Sequence, residues 1–401
     1  MTHPRPTFKG RVLYHKRSKD VQDCKPLRVE QLHWREGEGW TGGDAPHVNA
    51  QWVLALGSGE HLRSGRLCAP IFARYPNAIF MGCSTAGEIL GRRVYDGSLV
   101  VTAVELERTR VRLAWARVED QSGSFTAGNN LAASLIEPGL KHVLVLSDGL
   151  RVNGTGLVAG LKSGLPSSIT VSGGLAADGQ RMSETFVCAG GHPESGVIAA
   201  LGFYGSALQV GCGSMGGWDA FGPERLVTRA EGNVLYELDG QSALSLYRRY
   251  LGEHAAGLPA TGLLFPLALR NPGQGVGVVR TILGVDEARQ SLVFAGEVPT
   301  GSYVRLMRAN LDRLVDGAFG AAKASLRSAI PPELTVLVSC VGRRLVLRQR
   351  IEEELDGVAE VTGPAPTAGF YSYGELAPGP GVSCELHNQT MTVTTFREGP
   401  A

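Results

Sequence analysis

The chain has 401 residues, 43% hydrophobic and 19% charged, with 39 Lys and Arg against 38 Asp and Glu for a formal net charge of +1. That composition supports a packed core and excludes a disordered chain. The balanced charge, without long basic or acidic runs, argues against nucleic acid and anionic membrane surfaces as partners.

No apolar run reaches the roughly 18 residues needed to span a bilayer. The first twenty residues are polar and lack the apolar centre of a secretory signal. The expected location is therefore the cytoplasm. The cysteines (Cys24, Cys68, Cys83, Cys188, Cys212, Cys340 and Cys384) include no CxxC pair, so reduced thiols are expected, not a disulfide framework or zinc knot. The 54 glycines, many clustered between apolar runs, point to numerous turns and strand ends.

In chain order, the run 52–56 reads as a strand stopped by Gly57-Ser58-Gly59. A helix follows to about Tyr75, then Pro76 leads into a second strand over 78–81. That strand enters Gly82-Cys83-Ser84-Thr85-Ala86-Gly87-Glu88-Ile89, and another strand covers 99–104. The same order returns at His142: a strand over 143–146, the turn Ser147-Asp148-Gly149, a helix over 154–163, Pro166, a strand over 169–171 and a Gly-rich turn over 173–179. Strands near 185–188 and 197–203 close that repeat. A Gly-rich stretch over 212–233 reads as a connector.

An amphipathic helix is expected over 238–251, short strands at 281–283, 292–294 and 303–306, and a helix over 309–326. The pattern then returns a third time. It has a strand over 336–338, a helix over 344–355 with Ile351 and Leu355 on one face, Pro364 and Pro366, the turn Gly369-Phe370-Tyr371-Ser372-Tyr373-Gly374-Glu375-Leu376, and a last strand over 391–396. Gly87-Glu88 and Gly374-Glu375 recur at matched places. The expected fold is α/β, with mixed sheets covered by helices in two related halves carrying weak internal repeats.

Three segments together resemble the FIST family: Gly82 to Ile89, Gly369 to Leu376, and Leu386-His387-Asn388-Gln389-Thr390. Cys340-Val341-Gly342-Arg343-Arg344 and the segment 247–252 add to the likeness. In the 173–179 turn the family pattern has glycine directly before the aspartate, where this chain has Ala177. The resemblance implies an N-terminal extension over 1–34, a FIST N-terminal domain over 35–225 and a FIST C-terminal domain over 226–396. It further implies a bacterial sensory protein that binds a small-molecule ligand and does no chemistry on it. No kinase, cyclase or chemoreceptor segment follows the two halves. The expected partner is therefore a separate signalling protein, such as a histidine kinase or a cyclic-di-nucleotide enzyme. Some stand-alone members bind haem and sense nitric oxide, which makes haem the sharpest cofactor expectation; the alternative ligand is a small metabolite such as an amino acid.

A haem sensor needs a neutral imidazole as axial ligand and an apolar pocket. His387, set among Asn388, Gln389 and Thr390, is the expected iron ligand, since neighbouring polar groups would fix its tautomer. The competing reading is a buried histidine that ties the last strand to a turn. Phe370, Tyr371 and Tyr373 would stack on a flat ligand or alternate along a strand into the core. Glu88 and Glu375 would bind an amino group or do acid–base work, or satisfy backbone N–H groups. Cys83-Ser84-Thr85 offers a thiol and two hydroxyls at a turn, and Asn388 and Gln389 offer carboxamides. An enzyme built on Cys83, or on Glu88 with Glu375, is a further alternative, and a scaffold that binds protein only is another.

Overall fold

The computed structural model describes residues 27–43, 46–270, 277–328, 330–379 and 382–399. His3, His15 and Cys24 lie outside them.

The threefold recurrence in the sequence becomes three six-stranded sheets, each centred on one parallel pair. The pairs are Trp52–Gly57 with Ile79–Ser84, Leu140–Ser147 with Thr170–Leu175, and Leu334–Cys340 with Thr367–Ser372. Each first strand is also paired antiparallel with a long strand: Ser98–Glu105, Val197–Tyr204 or Met391–Glu398. An outer strand completes that side: Arg28–Arg35, Arg110–Arg117 or Leu208–Met215.

These central strands are apolar throughout because both faces are covered. Trp52, Leu54 and Leu56 point inward with Leu144, Leu146, Val336 and Val338, so the three sheets share one core and form a three-sided prism. The alternate residues face outward under helices. Val53 and Ala55 pack beneath the helices near Leu62, Cys68 and Ile71, Val143 and Val145 beneath Leu131 and Leu157, and Leu337 beneath Ala318 and Leu355. Each second strand carries a glycine at the same place, where a Cβ would lie 2.2 Å from the Ala55 carbonyl (Gly82), 1.8 Å from that of Val145 (Gly173) or 2.3 Å from that of Leu337 (Gly369). Only glycine permits that approach of two strand backbones.

The short strand after each parallel pair joins a neighbouring sheet instead of its own. Glu88–Leu90 pairs with Thr367–Ser372, Val187–Ala189 with Ile79–Ser84, and Gly374–Gly379 with Thr170–Leu175. The exchange is cyclic, the first unit giving to the third, the second to the first and the third to the second.

A fourth sheet lies between the second and third units in sequence, built from strands such as Asp219–Glu231, Leu267–Arg270 and Tyr303–Arg308 and covered by the helix Ala243–Leu251. The expected connector over 212–233 is therefore corrected: it is the end of the strand Leu208–Met215 followed by Asp219–Glu231. Its glycines serve packing. A Cβ on Gly211 or Gly213 would lie 1.6 Å or 2.1 Å from carbonyls of the helix Leu311–Ser325. The helix expected over 344–355 is two, Val341–Leu347 and Ile351–Thr362, separated by Arg348 at φ 52°. No helix among the described residues is long and apolar enough to cross a membrane.

Candidate functional site

The turns that follow the second parallel strands converge at one end of the prism, joined by a ring of backbone hydrogen bonds. Ala86 N–H donates to the Tyr371 carbonyl (2.8 Å), Ala177 N–H to that of Ser84 (2.9 Å) and Tyr373 N–H to that of Leu175 (3.2 Å). Each unit thus binds the next through the same position. The resemblance between Gly82–Ile89 and Gly369–Leu376 is the imprint of this ring.

Two of the three turns carry the same buried acid. Glu88 accepts from the Thr85 hydroxyl and from the N–H (3.1 Å) and hydroxyl (2.7 Å) of Ser98. Glu375 accepts from the Ser372 hydroxyl (2.7 Å) and from the N–H (3.2 Å) and hydroxyl (3.0 Å) of Thr390. Burial outweighs these donors and pushes Glu88 up to about 7 and Glu375 up to about 8. By strand register the second unit has Ala176, Val187 and Val197 in these places. It is held instead by Asp148, which accepts from the N–H groups of Leu150, Arg151 and Gly196, and by Asp178.

Two cavities open at this end. The larger, about 490 Å³, lies where the second unit, the third unit and the inserted sheet meet. Its walls are mainly apolar, with Leu175, Leu263, Ile282 and Leu345 among them. Tyr373 and Thr281 supply hydroxyls, and the helix Gly154–Gly164 presents its capped N-terminus through Asn153. Glu297 is the only charged side chain among the described lining residues. The smaller cavity, about 300 Å³, is polar and lined by Ser58, Thr85, Glu88, Asp96, Asp178 and Arg344, among others. Arg344 is bound there by both oxygens of Asp96, at 2.8 and 2.6 Å.

Gly179 borders both cavities, and the wall between them is pinned by Tyr373. Its hydroxyl reaches the Asp178 carboxylate and the Gly179 carbonyl (2.9 Å). Burial alone would raise the Asp178 carboxyl. Donors from Tyr373, Glu184 and Ser183 reverse this and hold it below the usual range.

The sequence-singled residues divide three ways. Thr85 and Glu88 line the small cavity and Tyr373 the large one. Cys83 and Phe370 sit in the central core, and Ser84 accepts from the Phe186 N–H (3.0 Å). The Cys83 thiol is pushed well up by burial and by Glu88, which leaves it a poor nucleophile. Tyr371 is enclosed, its hydroxyl donating to Glu354 (2.9 Å). So Phe370 and Tyr371 line neither cavity, and Glu375 is sealed beneath its turn.

His387, Asn388 and Gln389 form a third group. All are buried, yet His387 Nε2, Asn388 Oδ1 and Nδ2 and Gln389 Oε1 have no hydrogen-bond partner. Burial and the nearby Arg280 push His387 down to about 4, so its imidazole is neutral. Among the described residues no set of three or more His, Cys, Asp or Glu side chains is placed to hold a metal ion.

Sequence reasoning missed the larger cavity's outer wall, because Leu263, Thr281 and Glu297 lie in the segment inserted between the second and third units and carry no motif. It also missed the buried ion pair of Arg343 and Glu354 (2.8 Å) beneath the third turn.

Family models match nearly the whole described prism: a FIST N domain over residues 51–241 and a FIST C domain over 243–378. The uncharacterized protein Rv0628c of Mycobacterium tuberculosis is 25% identical over 362 residues, covering 86% of this chain and 90% of that protein. The uncharacterized protein Mb0898c of Mycobacterium bovis is 25% identical over 392 residues, covering 93% and 96%. Among solved structures, a chorismatase aligns with 9% identity over 94% of this chain and 100% of its own, at a TM-score of 0.35. A cyanuric acid hydrolase from A. caulinodans aligns with 12% identity over 72% and 99%, at a TM-score of 0.17. At those scores neither bears on fold or activity here.

Proposed function

We propose, from the premise that this chain belongs to the FIST family, whose domains serve as sensory ligand-binding domains in signalling, that its sensory site is the larger cavity. The observation that carries this is the cavity's place and lining. It has about 490 Å³, mainly apolar walls and a few convergent polar groups, the usual form of a small-molecule site. Three separate parts of the fold meet around it. A ligand that touches all three favours the arrangement in which they are closed together, and a ligand shifts an equilibrium only by such differential contact. The reader of that shift is a separate signalling protein, a histidine kinase or a cyclic-di-nucleotide enzyme.

The lining favours a compact organic metabolite. It holds no Lys or Arg among its described residues, so a phosphate or other multiply charged anion has no counter-charge there. Haem with nitric oxide is the rival ligand. One observation favours it: His387 is neutral, with Nε2 free. The cavity itself does not fit haem. No imidazole lines it, and its one thiol, Cys340, is kept protonated by burial and by Glu375.

The test is a metabolite panel read by thermal shift and calorimetry, with Leu263→Trp as a cavity-filling control, beside an absorption spectrum after haem addition. Expected is a ligand that stabilises the parent by about 2.7 kcal/mol at a hundredfold excess over Kd and does nothing to the folded variant. A Soret band lost in a folded His387→Ala protein would replace the metabolite reading with haem.

A further inference from the structure

The larger cavity is lined by two kinds of residue, set apart by exposure. Val152, Leu175, Ile282 and Phe294 are buried, at 3%, 5%, 2% and 0% exposed. Gln121, Gln180 and Asn233 are exposed, and Glu297 is half-buried. The apolar wall is therefore deep and the polar one lies toward solvent. A ligand that fills such a site puts an apolar body inside and a polar head at the mouth.

The polar side is short of donors. Tyr373 has a single O–H and gives it to Asp178. Asn233 Nδ2 donates to the Phe294 carbonyl (2.8 Å) and Gln121 Nε2 to that of Leu150 (3.2 Å). Neither Asn233 Oδ1 nor Gln121 Oε1 accepts a hydrogen bond among the described residues.

Glu297 adds a charge to these acceptors. Its backbone is held on both sides: its N–H donates to the Thr155 hydroxyl (3.5 Å) and its carbonyl accepts from Arg280 (3.1 Å). Its carboxylate makes no hydrogen bond and no ion pair among the described residues. Arg280 does not cancel it. That buried guanidinium turns its N–H groups to the carbonyls of Glu297, Val279 and Leu386 and to no carboxylate. Glu297 and Glu385 both act on its one positive charge, so the three groups together leave a negative charge over.

A carboxylate ligand would meet a like charge here and find no Lys or Arg in the described lining. An ammonium brings donors to acceptors and a positive charge to a negative one. Because Glu297 is partly in water, the gain is that of a solvated ion pair and is modest.

We infer that the larger cavity takes an amphipathic amine, a protonated primary amine on a compact apolar body, with Glu297 as the residue that selects the charge. The body packs against Leu175 and Ile282. This rests on the larger cavity being the sensory site.

The experiment uses three probes of one size: benzylamine, which is protonated at neutral pH, benzyl alcohol and benzoate. Each is titrated by ligand-observed NMR into the full chain, into Glu297→Gln and into two cavity-filling variants, Leu263→Trp and Ala260→Phe, whose melting is checked first. Expected is benzylammonium binding about three- to fivefold tighter than benzyl alcohol, with benzoate weakest. That preference should shrink at high salt and vanish in Glu297→Gln, where benzyl alcohol binds as before. Filling the cavity should abolish all binding. Equal binding of the amine and the alcohol, or a preference that survives in Glu297→Gln, overturns the amine assignment and leaves the cavity reading standing so long as filling abolishes binding. No binding of any probe to the parent, or binding that persists in both folded filled variants, removes both.

Discussion

Two polar turns meet on the last hairpin and treat their buried atoms in opposite ways. Glu375 and His387 face each other in strand register. Glu375 has both oxygens occupied, and its counterpart Glu88, in another unit, repeats the arrangement atom for atom. His387, Asn388 and Gln389 have four atoms with none. The pair of acids teaches what polar burial looks like when it builds a scaffold: local, repeated and satisfied. The 387–389 turn is buried as deeply and leaves four side-chain atoms unpaired.

The largest effect that would break this contrast is on pH. Folding holds Glu88 and Glu375 protonated above the range of an unfolded carboxyl, so the native state binds more protons than the unfolded one between those values. Their contribution is whole below about pH 4.5 and is lost as pH rises through about 7 and about 8. Stability measured by denaturant should fall between pH 5 and pH 9 by ~4 kcal/mol on account of Glu375 and ~2.5 kcal/mol on account of Glu88. Glu375→Gln should remove the larger part of that slope. A flat profile in the parent would show both acids ionised and the scaffold reading mistaken.

Next is the ion pair under the third turn. Arg343 and Glu354 are fully buried, with Tyr371, Ser339 and the carbonyls of Gly216 and Leu314 completing their bonds. Arg343→Leu leaves Glu354 unpaired and should cost about 3–5 kcal/mol, seen as a lower denaturation midpoint with an unchanged slope. The smallest change sharpens the contrast from the other side. Asn388→Leu should raise stability by about 1 kcal/mol, where Thr390→Val, which strips a donor from Glu375, should lower it by a similar amount.

Much of this was legible before the fold. The strand, turn, helix, proline and strand recur because each sheet is covered on both faces, which makes its central strands apolar throughout. Gly82, Gly173 and Gly369 mark the tight strand approach in all three. The match between Gly87-Glu88 and Gly374-Glu375 was visible because two units use the same buried acid. The second unit hid its equivalence by putting Val187 in that place. The strand exchange was not legible, because Glu88 meets Phe370 across most of the chain and no local pattern encodes so distant a partner. The cavity was half legible: Tyr373 stood in a recognisable motif and Thr281 in an expected strand, while Leu263 and Glu297 sat in segments that carry no motif.

The cyclic strand exchange also sets a schedule for synthesis. The first unit can assemble its parallel pair early, but Glu88–Leu90 has no sheet until Thr367–Ser372 exists, some 280 residues later. At translation rates of about 5–20 residues per second that edge waits roughly 15–55 s, and the larger cavity, closed by the third unit, is the last part of the molecule to come into being.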